Sequence, residues 1–160
     1  MKAIVNGKII VGNEILQNKV LLFEKKIIDI LDRENVCLSK NDYIIDAKGL
    51  YISPGFIDVH IHGSGGKDVM DGEIESIKVI SNTIAKRGVT SFLPTTMTMA
   101  KERIYKALDV IEQAMNMDLG GAKVLGAHLE GPFINPKYKG AQKVDFIKIQ
   151  ALILLKVMRM

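Results

Sequence analysis

The stretch "PGFIDVHIHG", residues 54–63, decides the fold that we predict for this chain. Its near-continuous apolar run is typical of a strand in a parallel sheet that is buried on both faces. Two histidines, His60 and His62, end the strand. Side chains two residues apart on a strand project from the same face, about 6.5 Å apart along the chain, and Asp58 shares that face. The stretch therefore predicts a buried strand that directs two imidazoles to one point, as a metal site requires.

The residues after this strand alternate between helical and extended patterns. Apolar residues at helical spacing predict helices over 73–87 and 101–115, and "VTSFLPTT" (89–96) and "KVLGAHLEG" (123–131) predict strands. Strand–helix–strand–helix–strand is the pattern of parallel βα units. A closed (β/α)8 barrel needs roughly 200 residues. An open doubly wound sheet could be shorter, but the strand ends here lack a dinucleotide-binding fingerprint. The predicted fold class over 51–160 is therefore α/β, with about three βα units that do not complete a fold.

The first fifty residues predict a different kind of structure. "KAIV" (2–5) and "KIIV" (8–11) flank Asn6-Gly7, a strong signal for a two-residue hairpin turn. A second pair, "KVLLF" (19–23) and "IIDIL" (27–31), follows. Residues 1–50 thus predict a small antiparallel β unit built from hairpins. At the other end, "DFIKIQALILLKVMRM" (145–160) predicts an amphipathic helix without a stop signal, which suggests a truncated copy of a longer protein.

Composition limits the partners and the compartment. The net charge is +4, but the lysines are scattered, so nucleic-acid binding is not favoured. No apolar run approaches the ~20 residues that cross a bilayer, and the N-terminus lacks the pattern of a signal peptide. The single cysteine, Cys37, suits a reducing compartment. We therefore expect a cytoplasmic protein without a nucleic-acid or membrane partner.

All three histidines lie at predicted strand ends: His60, His62 and His128. Glu130 follows His128 by two residues and shares its face. The carboxyl ends of parallel strands meet at one edge of a sheet, where ligands bind. Imidazole with carboxylate suits zinc or iron, and such an ion activates water and polarises a carbonyl, as amide hydrolysis requires. The histidines could instead be buried, hydrogen-bonded residues, and His128 could be either a ligand or a partner of one.

The glycine-rich segment "GSGGKD" (63–68) contains the Gly-Lys pair of a phosphate-binding loop. That loop has four residues between its first glycine and Gly-Lys-Ser/Thr. Here the spacing is shorter, and Asp68 stands where the hydroxyl residue belongs. We therefore predict a flexible loop over a site, not a nucleotide-binding loop.

Three motifs in this order, "PGFIDVHIHG", "GVTSFLPTT" and "HLEGPF" followed by "KGAQ", resemble the N-acetylglucosamine-6-phosphate deacetylases of the amidohydrolase superfamily. The resemblance covers residues 1 to about 146. It implies a (β/α)8 barrel beside a small β-sandwich made from both chain ends. Residues 51–160 would then be the first three βα units of an incomplete barrel, and residues 1–50 one portion of the sandwich. The implied reaction removes acetate from N-acetylglucosamine 6-phosphate, leaving glucosamine 6-phosphate.

The resemblance also implies roles for individual residues. Glu130 maps to a metal ligand, and His60 and His62 map to ligands of a second metal in members that keep them. Ala141 maps to a substrate contact, and its neighbour Gln142 replaces a histidine of some members. Two further metal-binding histidines, a phosphate-binding arginine and the catalytic aspartate of the family lie beyond residue 160. The implied cofactor is a divalent metal, the implied partner is a phosphorylated amino sugar, and the full-length family tends to form homodimers.

Two alternatives compete with this interpretation. A dihydroorotase-like or allantoinase-like hydrolase also begins with a β unit and a His-x-His strand, but Glu130 in "HLEGPF" argues against it. The second alternative is a non-catalytic remnant that at most binds a metal. We expect the 160-residue chain by itself to be inactive, because residues for phosphate capture and proton transfer are not supplied.

Overall fold

The computed structural model describes residues 1–149 of the chain. The chain divides into two compact units, Met1–Pro54 and a second unit that begins at Gly55. Within residues 1–149, no helix combines the length and the apolar character needed to span a membrane. The apolar residues of the predicted C-terminal helix from Leu152 onward lie outside the described residues.

The first unit contains seven short strands, arranged in two sheets. These are β1 (Lys2–Val5), β2 (Lys8–Val11), β3 (Glu14–Leu16), β4 (Lys19–Phe23), β5 (Ile27–Asp32), β6 (Tyr43–Asp46) and β7 (Tyr51–Ile52). One sheet has the order β5-β4-β1-β6 and the other the order β3-β2-β7. The pairs β1–β6 and β2–β7 are parallel, and the remaining pairs are antiparallel. The prediction of a purely antiparallel unit was therefore wrong, although its strands and the β4–β5 hairpin are confirmed.

The hairpin predicted at Asn6-Gly7 does not form. The strands β1 and β2 lie in different sheets, so the dipeptide is the corner between them. A type I′ turn needs positive φ at both central residues, and only Asn6 has it, with φ of 56°. Gly7 instead lies so close to Ile52 that an added Cβ would be 2.3 Å from the Ile52 Cδ1 atom. The actual hairpin joins β2 to β3 through Gly12-Asn13, where Gly12 has φ of 57°.

The second unit has the predicted alternation of strands and helices. Its elements are β8 (Phe56–Ile61), β9 (Gly63–Ser64), β10 (Lys67–Asp68), α1 (Ile74–Ala85), β11 (Val89–Thr96), α2 (Lys101–Met115), β12 (Lys123–Val124) and β13 (His128–Leu129). The central strand β11 pairs in parallel with β8 on one side and with β12 and β13 on the other. The predicted α/β class, with three parallel strands joined through two helices, is confirmed.

The third strand of this sheet is interrupted. Ser91 pairs with Lys123 and Thr95 pairs with His128, so the third strand has one more residue than β11 between these two pairs. An extra residue in one strand breaks the ladder locally and turns the chain that follows, as in a β-bulge. The predicted continuous strand over 123–131 therefore becomes β12 and β13, and the second half carries His128 and Glu130 to the sheet edge.

Helices α1 and α2 share an apolar core with the sheet. Phe92, in the middle of β11, is fully buried and contacts a cluster formed by α1, α2 and β12. The cluster also includes Ile77, Ile80, Ile84, Ile111, Ala114 and Val124. These α1 and α2 positions recur every three or four residues, which places them on one face of each helix.

The prediction that the strand ending in the histidines is buried on both faces was wrong. In β8, Phe56 is 66% exposed and Ile57 and Val59 are each 60% exposed. Among the described residues, β8 pairs with β11 alone and is an edge strand. An apolar sequence indicates a strand suited to burial, but the strand is buried only where other parts of the protein cover both of its faces.

The segment predicted as a flexible loop is an ordered hairpin and turn. Strands β9 and β10 pair antiparallel, and the turn Val69–Asp71 follows with a capping box between Asp68 and Asp71. The Asp71 carboxylate accepts hydrogen bonds from the Asp68 N–H at 3.1 Å and the Ser76 hydroxyl at 2.8 Å. Arg103 of α2 donates to the Met70 carbonyl at 3.0 Å. These bonds tie the segment to both helices.

Candidate metal centre

The predicted ligands meet at the carboxyl ends of the three parallel strands. His60 is in β8 and His62 follows it, whereas Glu130 follows β13. Parallel pairing with β11 aligns these ends, because Ile61 pairs with Pro94 and His128 pairs with Thr95. On β8, Ile61 packs against the helical core, so the histidines on either side of it project from the opposite face. Alternation and register together therefore bring the three side chains to one place.

The geometry of these three side chains fits a divalent cation. Glu130 Oε2 lies 2.9 Å from both His60 Nε2 and His62 Nε2, and the two nitrogens are 3.3 Å apart. One ligand atom from each residue lies within 4.8 Å of the others. Ligand nitrogens bound at ~2.0–2.1 Å to a tetrahedral zinc ion are roughly 3.3 Å from each other. Two imidazoles and one carboxylate are also the donor types that suit zinc or iron.

The tautomer of His62 strengthens this fit. His62 Nδ1 lies 3.1 Å from the Thr95 carbonyl oxygen. Because a carbonyl can only accept, Nδ1 must carry the proton. A neutral His62 then presents the lone pair of Nε2 to the Glu130 carboxylate, which is repulsive unless a cation or a proton lies between them. A metal-binding histidine typically donates its other ring N–H to a carbonyl in this way.

The carboxylate of Glu130 is held in its ionised form. Burial raises the pKa of Glu130. Hydrogen bonds from Gln142 and His60, together with the charge and hydrogen bond that His62 supplies when a proton is on its Nε2, outweigh burial, so the pKa is below its ordinary value. Metal binding needs a deprotonated carboxylate. The surroundings of Glu130 thus favour the form that binds a cation.

His128, Asp58 and Gln142 each contact a member of this cluster. His128 stands outside it: its ring packs edge-on against His60 with centroids 4.7 Å apart, and its Nδ1 is 3.3 Å from Thr95 Oγ1. Asp58 accepts a hydrogen bond from the backbone N–H of His60 at 3.1 Å. Ala141 is exposed, whereas Gln142 is buried and donates to Glu130 Oε1.

Two threonines support the site, and the sequence interpretation missed both. Thr95 is fully buried; its hydroxyl accepts from the Ile61 N–H at 3.0 Å, and its carbonyl accepts from His62. Thr98 donates its hydroxyl to the Glu130 carbonyl at 3.2 Å. Gly131 makes that approach possible, since an added Cβ would be 1.9 Å from Thr98 Oγ1. The available signal was the position of "TTMT" (95–98) at the end of an apolar parallel strand, where functional groups gather.

The chain is similar in sequence to deacetylases of N-acetylated amino-sugar phosphates. No protein-family model matches the chain. It is 42% identical over 106 residues to the N-acetylglucosamine-6-phosphate deacetylase of Bacillus subtilis, a match that covers 64% of this chain and 27% of that protein. It is 39% identical over 97 residues to the N-acetylgalactosamine-6-phosphate deacetylase of Escherichia coli O157:H7, over 61% of this chain and 26% of that protein.

A solved structure shares the fold. The crystal structure of N-acetylglucosamine-6-phosphate deacetylase from Pasteurella multocida superposes with a TM-score of 0.88 at 30% identity. The match covers 98% of this chain and 41% of that structure. The chain thus spans about a quarter of the length of the curated relatives that it matches.

Proposed function

Because this chain is a relative of the N-acetylglucosamine-6-phosphate deacetylases, we propose that it carries the metal-binding part of a deacetylase that acts on N-acetylglucosamine 6-phosphate. The observation that carries the proposal is the cluster of His60, His62 and Glu130, whose ligand atoms lie within 4.8 Å of one another at the carboxyl ends of parallel strands. That edge is where parallel α/β proteins bind their ligands.

The proposed cofactor is zinc or iron, held by His60, His62 and Glu130. Such an ion supplies a Lewis acid, which polarises an amide carbonyl and makes water a better nucleophile near neutral pH. The protein residues orient this chemistry. Thr95 fixes the ring of His62, and Gln142 fixes the carboxylate of Glu130. The other side of the cluster is open to a substrate, because 50% of the His60 side chain is exposed.

The substrate contacts and the complete fold are part of the same proposal. We assign the sugar contact to the segment Ala141–Gln142. At Gln142 we assign it to the backbone, because both polar atoms of that side chain already have hydrogen-bond partners. We further propose that residues 51–160 belong to a (β/α)8 barrel and residues 1–50 to a β-sandwich. The exposed thiol of Cys37 suits a reducing cytoplasm.

The relatives named above favour this reaction over ring hydrolysis, because both are deacetylases of amino-sugar phosphates. They differ in the sugar, so N-acetylgalactosamine 6-phosphate is the matched comparison substrate.

A chimeric enzyme tests the proposal. Residues 1–149 of this chain replace the matching part of the Pasteurella multocida deacetylase, and acetate release is measured with both sugar phosphates. We expect release from N-acetylglucosamine 6-phosphate, with a rate at least ~10-fold lower after Glu130→Gln because the variant loses a charged ligand. A chimera that folds and binds zinc but releases no acetate contradicts the proposed function.

A further inference from the structure

Gln142 is a buried polar side chain whose amide oxygen and amide nitrogen are both hydrogen-bonded. Its exposed fraction is 4%. The amide oxygen accepts a hydrogen bond from the Thr98 backbone N–H at 2.9 Å, and the amide nitrogen donates to Glu130 Oε1 at 2.5 Å. Burying an amide without partners is costly. These two bonds therefore explain how a glutamine is accommodated in this position.

The orientation of the amide follows from its partners. The Thr98 N–H can only donate, so it requires the oxygen of Gln142. The nitrogen then points to Glu130, where an ionised carboxylate can only accept. A flipped amide would place two donors together at Thr98 and two acceptors together at Glu130. Gln142 thus has one stable orientation.

This orientation divides the two oxygens of Glu130 between different partners. Oε1 accepts from Gln142, and Oε2 faces His60 Nε2 and His62 Nε2 at 2.9 Å. We propose that Gln142 is a positioning residue that holds Glu130 so that a single carboxylate oxygen, Oε2, faces the metal ion. The inference rests on the proposed function, because it takes the cluster of His60, His62 and Glu130 to be a metal site.

Thr98 anchors both ends of this arrangement. Its N–H holds Gln142, and its hydroxyl donates to the backbone carbonyl of Glu130 at 3.2 Å. Thr98 itself is 2% exposed and lies between β11 and α2. Thr98 therefore holds Glu130 in two ways. It binds the backbone carbonyl of Glu130 directly, and it positions the Glu130 side chain through Gln142. This role goes beyond a substrate contact, because the Gln142 side chain acts through Glu130.

Cobalt binding to the purified 160-residue chain tests the inference without any activity measurement. Gln142→Met keeps the side-chain length and removes both hydrogen bonds. Gln113→Met, on the exposed face of α2, is the matched control. By calorimetric titration we expect Gln142→Met to weaken cobalt binding at least ~10-fold, the scale on which partners of metal ligands act. We also expect weaker visible absorption of the bound cobalt, since a released Glu130 can bind through both oxygens and raise the coordination number.

The outcomes separate this inference from the proposed function. If Glu130→Ala weakens cobalt binding but Gln142→Met leaves affinity and absorption unchanged, the positioning role is overturned and the metal site stands. If Glu130→Ala binds cobalt like the unmodified chain, the metal site is overturned and the positioning role with it.

A measurement on the unmodified chain covers the case in which Gln142→Met does not fold. In a ¹⁵N spectrum, the side-chain amide of Gln142 should exchange slowly with solvent and shift when zinc is added. Fast exchange with no zinc-dependent shift overturns the inference.

Discussion

Thr95 shows how one buried residue can join separate parts of a site. Its hydroxyl accepts the Ile61 N–H from β8, and its carbonyl accepts the His62 ring N–H. The same hydroxyl lies 3.3 Å from His128 Nδ1 of β13. The side chain therefore links three strands, while its backbone carbonyl sets the tautomer of His62. Nothing in the local sequence distinguishes Thr95 from the adjacent Thr96, because the roles differ only through strand register.

We predict that Thr95→Val destabilises the chain by about 1–3 kcal/mol, because the part-buried Ile61 N–H loses its acceptor. Valine has nearly the same shape, so packing is retained. Urea unfolding at neutral pH measures the change. Thr95→Ser keeps the hydroxyl and should lose clearly less; equal losses for the two variants would contradict the hydrogen-bond argument.

Gly131 is predicted to tolerate no side chain. It has φ of 85°, and a Cβ there would lie 1.9 Å from Thr98 Oγ1. We expect Gly131→Ala to cost about 2 kcal/mol or more in unfolding free energy, from backbone strain and overpacking together. The control is Gly140→Ala, where φ is 59° and nothing lies within 4 Å. If the two alanines cost the same, the close approach to Thr98 has no energetic role.

At the scale of elements, Phe92 tests the packing of the second unit. It is fully buried between the sheet and both helices. Phe92→Ala should lower the free energy of unfolding by about 3–5 kcal/mol, the range for buried aromatic truncations. Phe56→Ala, at a 66% exposed position of β8, is the matched control and should cost far less. A reversed order would contradict the placement of the core.

The turn before α1 predicts a pH dependence. The Asp68 N–H and the Ser76 hydroxyl donate to Asp71 and hold the pKa of that carboxyl below its ordinary value. The ionised form therefore stabilises the folded state above the unfolded pKa, and this stability is lost as pH falls through the lower folded pKa. We expect Asp71→Asn to be less stable than the unmodified chain at pH 7 and the difference to shrink towards pH 3.

Chemical unfolding at several pH values measures this effect. Asp109→Asn, on the exposed face of α2, is the control and should change stability little at any pH. A difference for Asp71→Asn that is the same at pH 7 and pH 3 would contradict the assignment.

Local patterns predicted the elements, but not all of their partners. The strand β11 and the helix α2 have the bounds that their periodicity indicates, because their apolar faces repeat over many residues. The pairing of β1 with β6 could not be predicted, since it joins residues some forty positions apart. The exposure of β8 likewise depends on which strands surround it. The His60, His62 and Glu130 cluster was predictable because strand ends in parallel sheets converge, whereas the Gln142 and Thr98 contacts depend on loop geometry.

At the scale of the whole molecule, metal binding should be visible as stability. A ligand that binds only the folded state stabilises it by about 2.7 kcal/mol at a concentration 100 times its Kd. We therefore expect zinc to raise the thermal midpoint of the chain and to do so less after His62→Ala. An equal rise in both proteins would place the zinc elsewhere.

The most direct test of the central claim is a crystal structure of the chain grown with zinc, with anomalous diffraction recorded at the zinc edge. We predict an anomalous peak about 2.0–2.2 Å from His60 Nε2, His62 Nε2 and Glu130 Oε2. A zinc ion bound at other residues, or His60 and His62 directed away from Glu130, would contradict it.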